Sequence, residues 1–327
     1  TRRSSDLAVR SMGYDLWDKQ LEMMFVAPIK SIYSDLTFPS HNDGWYGVSL
    51  PTQIRLYEVA YARYKNPLLL NTLQDCYRLE DRLSPEALLT NTTIHPDKEL
   101  KESESYLFGQ TGYGVLRSGK KSVVLKYGPS GGGHGHPDKL SISIHNGEKE
   151  ILPDLGTCAY GIPDYLNWYK RTLSHNTVTV DCKDQRPATG QMVYFDDHSI
   201  EAFCDKAYPG VEMKRKLLLK GDTLCDEFDC ISDTIHQYDY VLLLTEQPQI
   251  EGEFTGAKLD EAVAYKQIRN VKRSVMNHPF TVSMPTGKIT FRVDGVPSFE
   301  LFVGEASGIP PTNPDIVTKT GTERRPV

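Results

Sequence analysis

The hydrophobic pattern of the chain changes its period once, and this change limits the folds that the chain can adopt. Apolar residues recur at helical spacing over residues 5–34, 52–64 and 67–79. After a polar linker at residues 91–104, apolar and polar residues alternate in many short runs that Gly, Asp and Asn separate. The sequence therefore predicts an α+β protein, with helical hairpins first and a large antiparallel β-sandwich after them.

Two domains follow from this pattern. Residues 1–95 are predicted to be helical, as part of a bundle or of an α/α toroid, and residues 105–327 to form the sandwich. Pro28 marks a break in the first helical segment, so that one long or two short helices are expected there, and a short helix is expected after Ser84. The predicted strands are residues 113–118, 122–127, 140–144, 150–152, 177–180, 199–203, 211–219, 223–232, 240–245, 262–268, 289–293 and 299–303, and another strand could begin at Arg324.

Charge and cysteine usage exclude several classes of protein. The net charge is −6 and no long run of Lys or Arg is present, which argues against nucleic acid as a partner. No apolar stretch is long enough for a membrane span, and no signal segment is visible. The six cysteines are scattered, so neither a thiolate zinc site nor a disulfide framework is predicted.

Three histidines and an aspartate fall within about 45 residues of the predicted sandwich and suggest a site. His134 and His136 are two residues apart, so an extended segment would present both from one face. Asp154 lies in an apolar run, and His175 precedes an alternating strand. Two imidazoles and a carboxylate fit tetrahedral zinc with one position for water, whereas the alternative is a set of hydrogen-bonded core residues.

A loop between the predicted helices carries a second group of polar and aromatic residues. His41, Asn42 and Asp43, with Trp45 nearby, could line a sugar cleft as substrate-binding residues. The alternative is a capped turn that Asn42 or Asp43 holds by hydrogen bonds while Trp45 packs between helices. Within the sandwich, Tyr165, Arg171 and Asn176 could contact an acidic sugar, or could serve packing, a salt bridge and a strand-entry hydrogen bond.

Three blocks in order resemble the signature of the heparinase II/III-like polysaccharide lyases, including the oligoalginate lyases. They are Gly-His-Gly-His-Pro-Asp-Lys-Leu at residues 133–140, Leu-Pro-Asp-Leu-Gly-Thr at 152–157 and Tyr-Lys-Arg-Thr-Leu-Ser-His-Asn-Thr-Val at 169–178. The resemblance covers residues 130–181 in motif and nearly the whole chain in architecture. It implies an α/α toroid followed by an antiparallel β-sandwich, with uronic-acid polysaccharides cut in the cleft between them.

The resemblance also implies roles for single residues. His134 would face the substrate and Tyr160 would point into the cleft as the two catalytic candidates, while His136, Asp154 and His175 would hold a structural zinc ion. In β-elimination a base removes the C5 proton of the uronate and an acid protonates the O4 leaving group. The family's principal catalytic tyrosine belongs to the toroid and is expected upstream of Thr1, unless the helical half is a shortened variant.

We therefore expect a lyase that acts on an acidic polysaccharide or oligosaccharide, either alginate oligomers or a glycan of the heparin and heparan sulfate type. A periplasmic or secreted location is expected, with neither nucleic acid nor membrane as a partner. Two alternatives remain at this stage. One is a non-catalytic carbohydrate-binding or structural module, or a fragment that lacks the catalytic base. The other is a cupin-like metal oxygenase, which stoichiometric iron on His134 and His136 would favour.

Overall fold

The computed structural model describes residue 15 and residues 17–90, 92–95, 104–310 and 324–326. The predicted start of the first helix, at residues 5–14, and most of the predicted polar linker lie outside the described residues. Contacts between Cα atoms divide the chain into two compact units: residues 1–38 with 49–103, and residues 39–48 with 104–327. The loop at residues 39–48, which the sequence placed with the helices, therefore groups with the strands.

The first unit contains four α-helices in its described part. They are α1 (Lys19–Ser31), α2 (Ile54–Tyr64), α3 (Pro67–Cys76) and α4 (Pro85–Thr90). Asp18 caps α1 by accepting the N–H of Leu21, and Asn66 caps α3 in the same way before Pro67, which occupies its first turn. The predicted break at Pro28 is wrong, because α1 continues through this proline to Ser31. The helices bury a core of their own around Leu50, Ala60, Leu69 and Leu73.

The second unit is built almost entirely of β-strands. In chain order they are β1 (Tyr106–Phe108), β2 (Tyr113–Ser118), β3 (Lys121–Lys126), β4 (Ser141–His145), β5 (Glu150–Leu152), β6 (Val178–Val180), β7 (Gln191–Phe195), β8 (Ser199–Tyr208), β9 (Val211–Lys220), β10 (Thr223–Ser232), β11 (Tyr238–Tyr240), β12 (Gln249–Ile250), β13 (Thr255–Gly256), β14 (Arg269–Met276), β15 (Phe280–Met284), β16 (Gly287–Phe291), β17 (Phe299–Ser307) and β18 (Arg324–Pro326). The two largest contributors to the core are a five-stranded sheet in the order β1-β2-β3-β4-β5 and a four-stranded sheet in the order β10-β9-β8-β7. Strand pairs throughout these described sheets are antiparallel.

The five-stranded and four-stranded sheets bury their apolar faces in one core, as expected for a sandwich. Leu116 and Leu125 of the first sheet share this core with Ile200 and Leu217 of the second. Gly114 of β2 permits the close approach, because a Cβ atom there would lie 2.0 Å from Cδ1 of Ile200. The second unit is therefore rich in antiparallel strands with few helical turns, in agreement with the predicted sandwich.

Some predicted strands are wrong, and some observed strands were not predicted. Residues 241–244 have no regular structure, and the 262–268 segment contains a 3-10 turn at Tyr265–Gln267 in place of a strand. The sequence did not predict strands β1, β7, β12, β13, β14 and β15, whereas the strand that could begin at Arg324 is present as β18 and pairs with β17. In the described part of the chain, none of the helices has both the length and the apolar character that a membrane crossing needs.

The second unit positions the histidines and the loop at residues 39–48 together. His136 precedes β4, Asp154 follows β5, the neighbour of β4 in the five-stranded sheet, and His175 precedes β6 of a separate two-stranded sheet. The main chain of Thr157 donates a hydrogen bond of 3.1 Å to the carbonyl of Gly44 and so attaches the loop to the segment after β5. Gly156 allows this contact, since its φ is +61° and a Cβ atom there would lie 2.1 Å from the Gly44 oxygen.

Candidate functional site

Asp43 is the shared hydrogen-bond acceptor of a group of residues that we call the surface cluster: Asp43, His134, Tyr160 and Tyr165. Oδ2 of Asp43 lies 2.7 Å from Nδ1 of His134 and accepts hydrogen bonds of 3.1 Å from both tyrosine hydroxyls. Its other oxygen lies 3.1 Å from Nε2 of His136. The Asp43 side chain is only 5% exposed. All four of its hydrogen-bonding partners belong to the second unit.

The outer members of the surface cluster face solvent. The side chain of His134 is 76% exposed and Tyr160 is 60% exposed, and the Tyr160 hydroxyl lies 3.1 Å from Nδ1 of His134. Lys170 adds a positive charge beside them, because its Nζ donates to the carbonyl of Gly133 and to the hydroxyl of Tyr165. The cluster thus presents an imidazole, a phenol and a nearby ammonium at one surface.

The hydrogen bonds of the surface cluster keep Asp43 ionised and the phenols protonated. Burial alone would raise the pKa of Asp43, but the bonds from His134, His136 and the two tyrosines hold it below its usual value. Burial raises the pKa of Tyr165 and the Asp43 carboxylate raises it further, to about 12. The pKa of Tyr160 is raised by the same two causes. At neutral pH both phenols therefore carry a proton that they can donate.

A second group lies beneath the first, and we call it the buried cluster: His41, His136, Asp154 and His175. Nδ1 of His41 is 3.3 Å from Oδ2 of Asp154, and Nδ1 of His175 is 3.5 Å from Oδ1 of the same carboxylate. The rings of His136 and His175 have centroids 5.3 Å apart. The three predicted metal ligands are therefore brought together, with His41 as a fourth neighbour.

The buried cluster has polar atoms that the protein leaves unsatisfied. Within the described residues, both ring nitrogens of His41 and of His175, Nδ1 of His136 and Oδ2 of Asp154 have no hydrogen-bond partner. Each such buried group costs about 1–3 kcal/mol unless a ligand, an ion or water satisfies it. A cation held by these atoms would remove this cost.

The protonation states in the buried cluster also suit a metal. Burial and the neighbouring His175 lower the pKa of His136 to about 4, so this imidazole is neutral and offers a lone pair. Burial opposes ionisation of Asp154, but His175 and His41 hold the pKa of its carboxyl well below the usual range. Neutral imidazole and ionised carboxylate are donors that Zn²⁺ takes in proteins, and the residues present therefore fit this ion.

Asp138 is a second carboxylate near the two imidazoles that the sequence did not single out. One ligand atom each from His136, Asp138 and His175 lie within 4.8 Å of one another. Both oxygens of Asp138 already have cationic partners, however, in the ammonium groups of Lys126 and Lys139. Burial would raise the pKa of Asp138, but these two lysines lower it to about 2. Asp154 instead has imidazole nitrogens 3.3 and 3.5 Å from its two oxygens, and within the described residues its Oδ2 accepts no hydrogen bond.

The predicted substrate-binding residues are divided by the structure. Asp43 and Tyr165 belong to the surface cluster, whereas His41 faces Asp154 in the buried cluster. Asn42 accepts the Lys126 ammonium at 2.5 Å and the main-chain N–H of His136 at 3.3 Å, which fixes the loop at residues 39–48 beside the histidine segment. Trp45 is half-buried.

The side chains of Arg171 and Asn176 already form hydrogen bonds with other residues of the protein. Asn176 is buried, its amide nitrogen donates to the carbonyls of Ile142 and Pro153, and its oxygen accepts the N–H of Leu243. Arg171 donates to Leu166 and Asp184. These contacts favour the salt-bridge and strand-entry roles over substrate contact.

The sequence contained no signal for the central role of Asp43, which meets His134 and Tyr165 across 91 and 122 positions of the chain. Lys170 and Asp138 lie within the family motifs, but the sequence did not predict either of them as a site residue. A long-range contact map would have been needed to find them.

The family model described as "Heparinase II/III-like, C-terminal" matches residues 101–300. The chain belongs to this family. Relatives of the heparinase II/III-like chain include an alginate lyase of Stenotrophomonas maltophilia, 27% identical over 223 residues, which are 57% of this chain and 29% of that protein. A heparin-sulfate lyase of Bacteroides stercoris is 28% identical over 118 residues, which are 33% of this chain and 18% of that protein.

The solved structure of a heparinase III has a similar fold, with a TM-score of 0.56 at 16% identity. This match covers 94% of the heparinase II/III-like chain and 45% of the solved chain. The chain thus spans less than a third of the curated relatives and about half of this solved structure.

Proposed function

We propose that the protein is a polysaccharide lyase that cleaves uronic-acid glycans by β-elimination. The observation that carries this proposal is the surface cluster, where Asp43 holds an exposed imidazole and an exposed phenol 3.1 Å apart. The named activities of the relatives support the same reaction class and suggest alginate oligomers or heparin and heparan sulfate as substrates.

The surface cluster supplies the two groups that β-elimination needs. Asp43 occupies Nδ1 of His134, so Nε2 is the ring nitrogen that remains for a substrate proton and can act as the base at C5. Tyr160 keeps its proton because its pKa is raised, and it can donate this proton to the O4 leaving group. Lys170 lies close enough to Tyr165 to place positive charge near the uronate carboxylate, which makes the C5 proton more acidic.

We propose further that His136, Asp154 and His175 hold a structural zinc ion. When bound, this ion would neutralise the buried carboxylate and fix the strand ends that carry the histidines. The protein's own residues bind and orient the sugar. That the helices of the first unit are the end of an α/α toroid, and that the protein is periplasmic or secreted, are parts of the same proposal.

A non-catalytic carbohydrate-binding module is the second candidate. It is favoured by the exposed ring of Tyr160, which meets the ring of Tyr165 edge-on at 5.2 Å and could stack on a sugar. Such a module would bind the same glycans without changing them.

The test is to incubate the protein with alginate oligomers and, separately, with heparan sulfate oligosaccharides. The unsaturated uronate formed by elimination is followed by its ultraviolet absorbance and by the mass of the products. We expect unsaturated products from one of these glycans, and their loss in His134→Ala and in Tyr160→Phe. His198→Ala, which removes an exposed imidazole in the turn between β7 and β8, is the matched control and should leave the rate unchanged.

Binding measured by calorimetry separates the two candidates. Glycan binding without unsaturated products would overturn the lyase and support the binding module, and saturated products would indicate hydrolysis.

A further inference from the structure

His41 lies in a position that neither sugar binding nor turn capping explains. Its side chain is only 12% exposed, and it points to Asp154 rather than to the surface cluster. In the described part of the chain neither of its ring nitrogens has a hydrogen-bond partner. An imidazole buried in this state costs about 1–3 kcal/mol, so a partner of another kind is expected.

The distances around Asp154 match those between ligands of one metal ion. With metal–ligand distances of about 2.0–2.2 Å, neighbouring ligand atoms of a tetrahedral site lie about 3.3–3.6 Å apart. Oδ2 of Asp154 lies 3.3 Å from Nδ1 of His41, and its other oxygen, Oδ1, lies 3.5 Å from Nδ1 of His175. Both separations exceed the roughly 2.7–2.9 Å of a charge-assisted hydrogen bond. The two imidazoles therefore stand at ligand spacing from the same carboxylate.

The number of ligands leads to the same conclusion. Structural zinc sites in proteins are almost always four-coordinate, and His136, Asp154 and His175 supply three of the four positions. We infer that His41 is the fourth protein ligand of the metal centre formed by His136, Asp154 and His175. The inference deepens the proposed function and depends on its metal centre, which it makes a closed, structural one.

Asp138 is the competing candidate for the fourth position. Its carboxylate is near His136 and His175, but both of its oxygens are paired with lysines. Its side chain is fully buried, and the ammonium of Lys139 beside it is fully buried too. If Asp138 turned to a metal, these buried lysines would lose their counter-charge, which is strongly unfavourable. Within the described residues, the ring nitrogens of His41 have no hydrogen bond that ligation would break.

Ligation by His41 also explains why the loop at residues 39–48 belongs to the β-strand unit. Asn42 and Gly44 of this loop contact Lys126 and Thr157, and a metal bond at His41 would add a third attachment. Asp43 lies within this attached stretch, so the metal would also fix the acceptor of the surface cluster.

The test places a thiolate at position 41 and detects it by spectroscopy. The full chain is stripped of metal with a chelator and loaded with Co²⁺. We expect His41→Cys to show a sulfur-to-cobalt charge-transfer band in the near ultraviolet that the wild-type protein lacks. His175→Cys is the positive control, and His198→Cys, at an exposed imidazole, is the negative control.

Truncation provides an independent measurement. His41→Ala should lower zinc affinity by at least about 10–100-fold, alter the visible spectrum of bound cobalt as water replaces the ring, and recover the wild-type spectrum on addition of imidazole. Asp138→Asn should keep the wild-type cobalt spectrum. Circular dichroism of the metal-free variants checks that each is folded.

Three results would overturn the inference: no cobalt binding by the wild-type protein, a charge-transfer band in His175→Cys but not in His41→Cys, or a spectrum that responds to Asp138→Asn and not to His41→Ala. None of these measurements uses a glycan. A failure here would therefore leave the lyase proposal standing, and a failure of the glycan assay would leave this inference standing.

Discussion

The surface cluster and the buried cluster are made from the same short segments of chain but differ in how many of their polar atoms have hydrogen-bond partners. His41 and Asp43 are two residues apart, as are His134 and His136, and each pair contributes one residue to each cluster. In the surface cluster one carboxylate receives four protein partners, whereas in the buried cluster most ring nitrogens have none within the described residues. The protein itself satisfies the carboxylate of the surface cluster, whereas we propose that the buried cluster needs a bound ion.

The strongest test of this difference is removal of the buried carboxylate. Asp154→Ala should abolish stoichiometric zinc binding and destabilise the folded protein by about 3–5 kcal/mol, because it leaves buried partners uncompensated. Metal analysis by mass spectrometry and urea unfolding measure both effects. Asp222→Ala, at an exposed carboxylate paired with Lys121, is the control and should change neither. Full zinc content in Asp154→Ala would show that it is not a ligand.

A pH titration of the metal-free protein should give the next largest effect. Because burial lowers the pKa of His136 in the folded protein to about 4, below the ordinary value of about 6.5, its contribution to stability is present above pH 6.5 and is lost as the pH falls through about 4. The loss should reach about 3 kcal/mol, measured as the free energy of unfolding in urea at several pH values. In His136→Gln this acid-dependent loss should shrink, and an unchanged slope would contradict the assignment.

Removal of the shared acceptor in the surface cluster should have a smaller effect on stability. Asp43→Ala leaves two hydroxyls and two imidazoles without their acceptor, and we expect a loss of about 1–3 kcal/mol. Zinc should still bind at saturating concentration, since Asp43 contacts His136 but is not one of the inferred ligands. Unsaturated product should form far more slowly. Loss of zinc stoichiometry in Asp43→Ala would mean that the two clusters are not separate.

The smallest expected change in stability comes from the exposed histidine. His134→Ala should alter the free energy of unfolding by no more than about 0.5 kcal/mol, because its side chain is 76% exposed. The rate of elimination should nevertheless fall by about 10²–10⁴-fold, the usual contribution of a general base. Thermal unfolding and the ultraviolet assay, run on one preparation, give both numbers. A fully active His134→Ala would remove His134 from the reaction.

The sequence predicted those features that local spacing can report. Alternation located β8, β9 and β10, and the blocks around His134, Asp154 and His175 indicated the family that the comparisons confirm. Local spacing failed where a distant contact decides the structure. Residues 262–268 alternate like a strand, but Tyr265 is buried through a 3-10 turn and its hydroxyl meets Thr179 at 2.7 Å.

The candidate site shows the same limit. The sequence offers substrate contact or turn capping for Asp43, and nothing near it in sequence indicates that His134 and the two tyrosines converge on it. The expectation that His134 and His136 share one face of an extended segment is wrong, because Gly132–His134 forms a 3-10 turn and leaves His134 exposed while His136 is buried. The sequence therefore predicted the metal donors as a set, a prediction that awaits metal analysis, but not the carboxylate that organises the surface.

The attachment of residues 39–48 to the β-strand unit has a consequence for how this protein can be divided or recombined. A cut made in the linker between the helices and β1 would separate the histidines at 134, 136 and 175 from their partners at 41 and 43. The excised strands would then retain every family motif but would lack His41 of the buried cluster and Asp43 of the surface cluster. Evolution by exchange of whole domains is constrained in the same way, since ten residues encoded among the helices must accompany the strands.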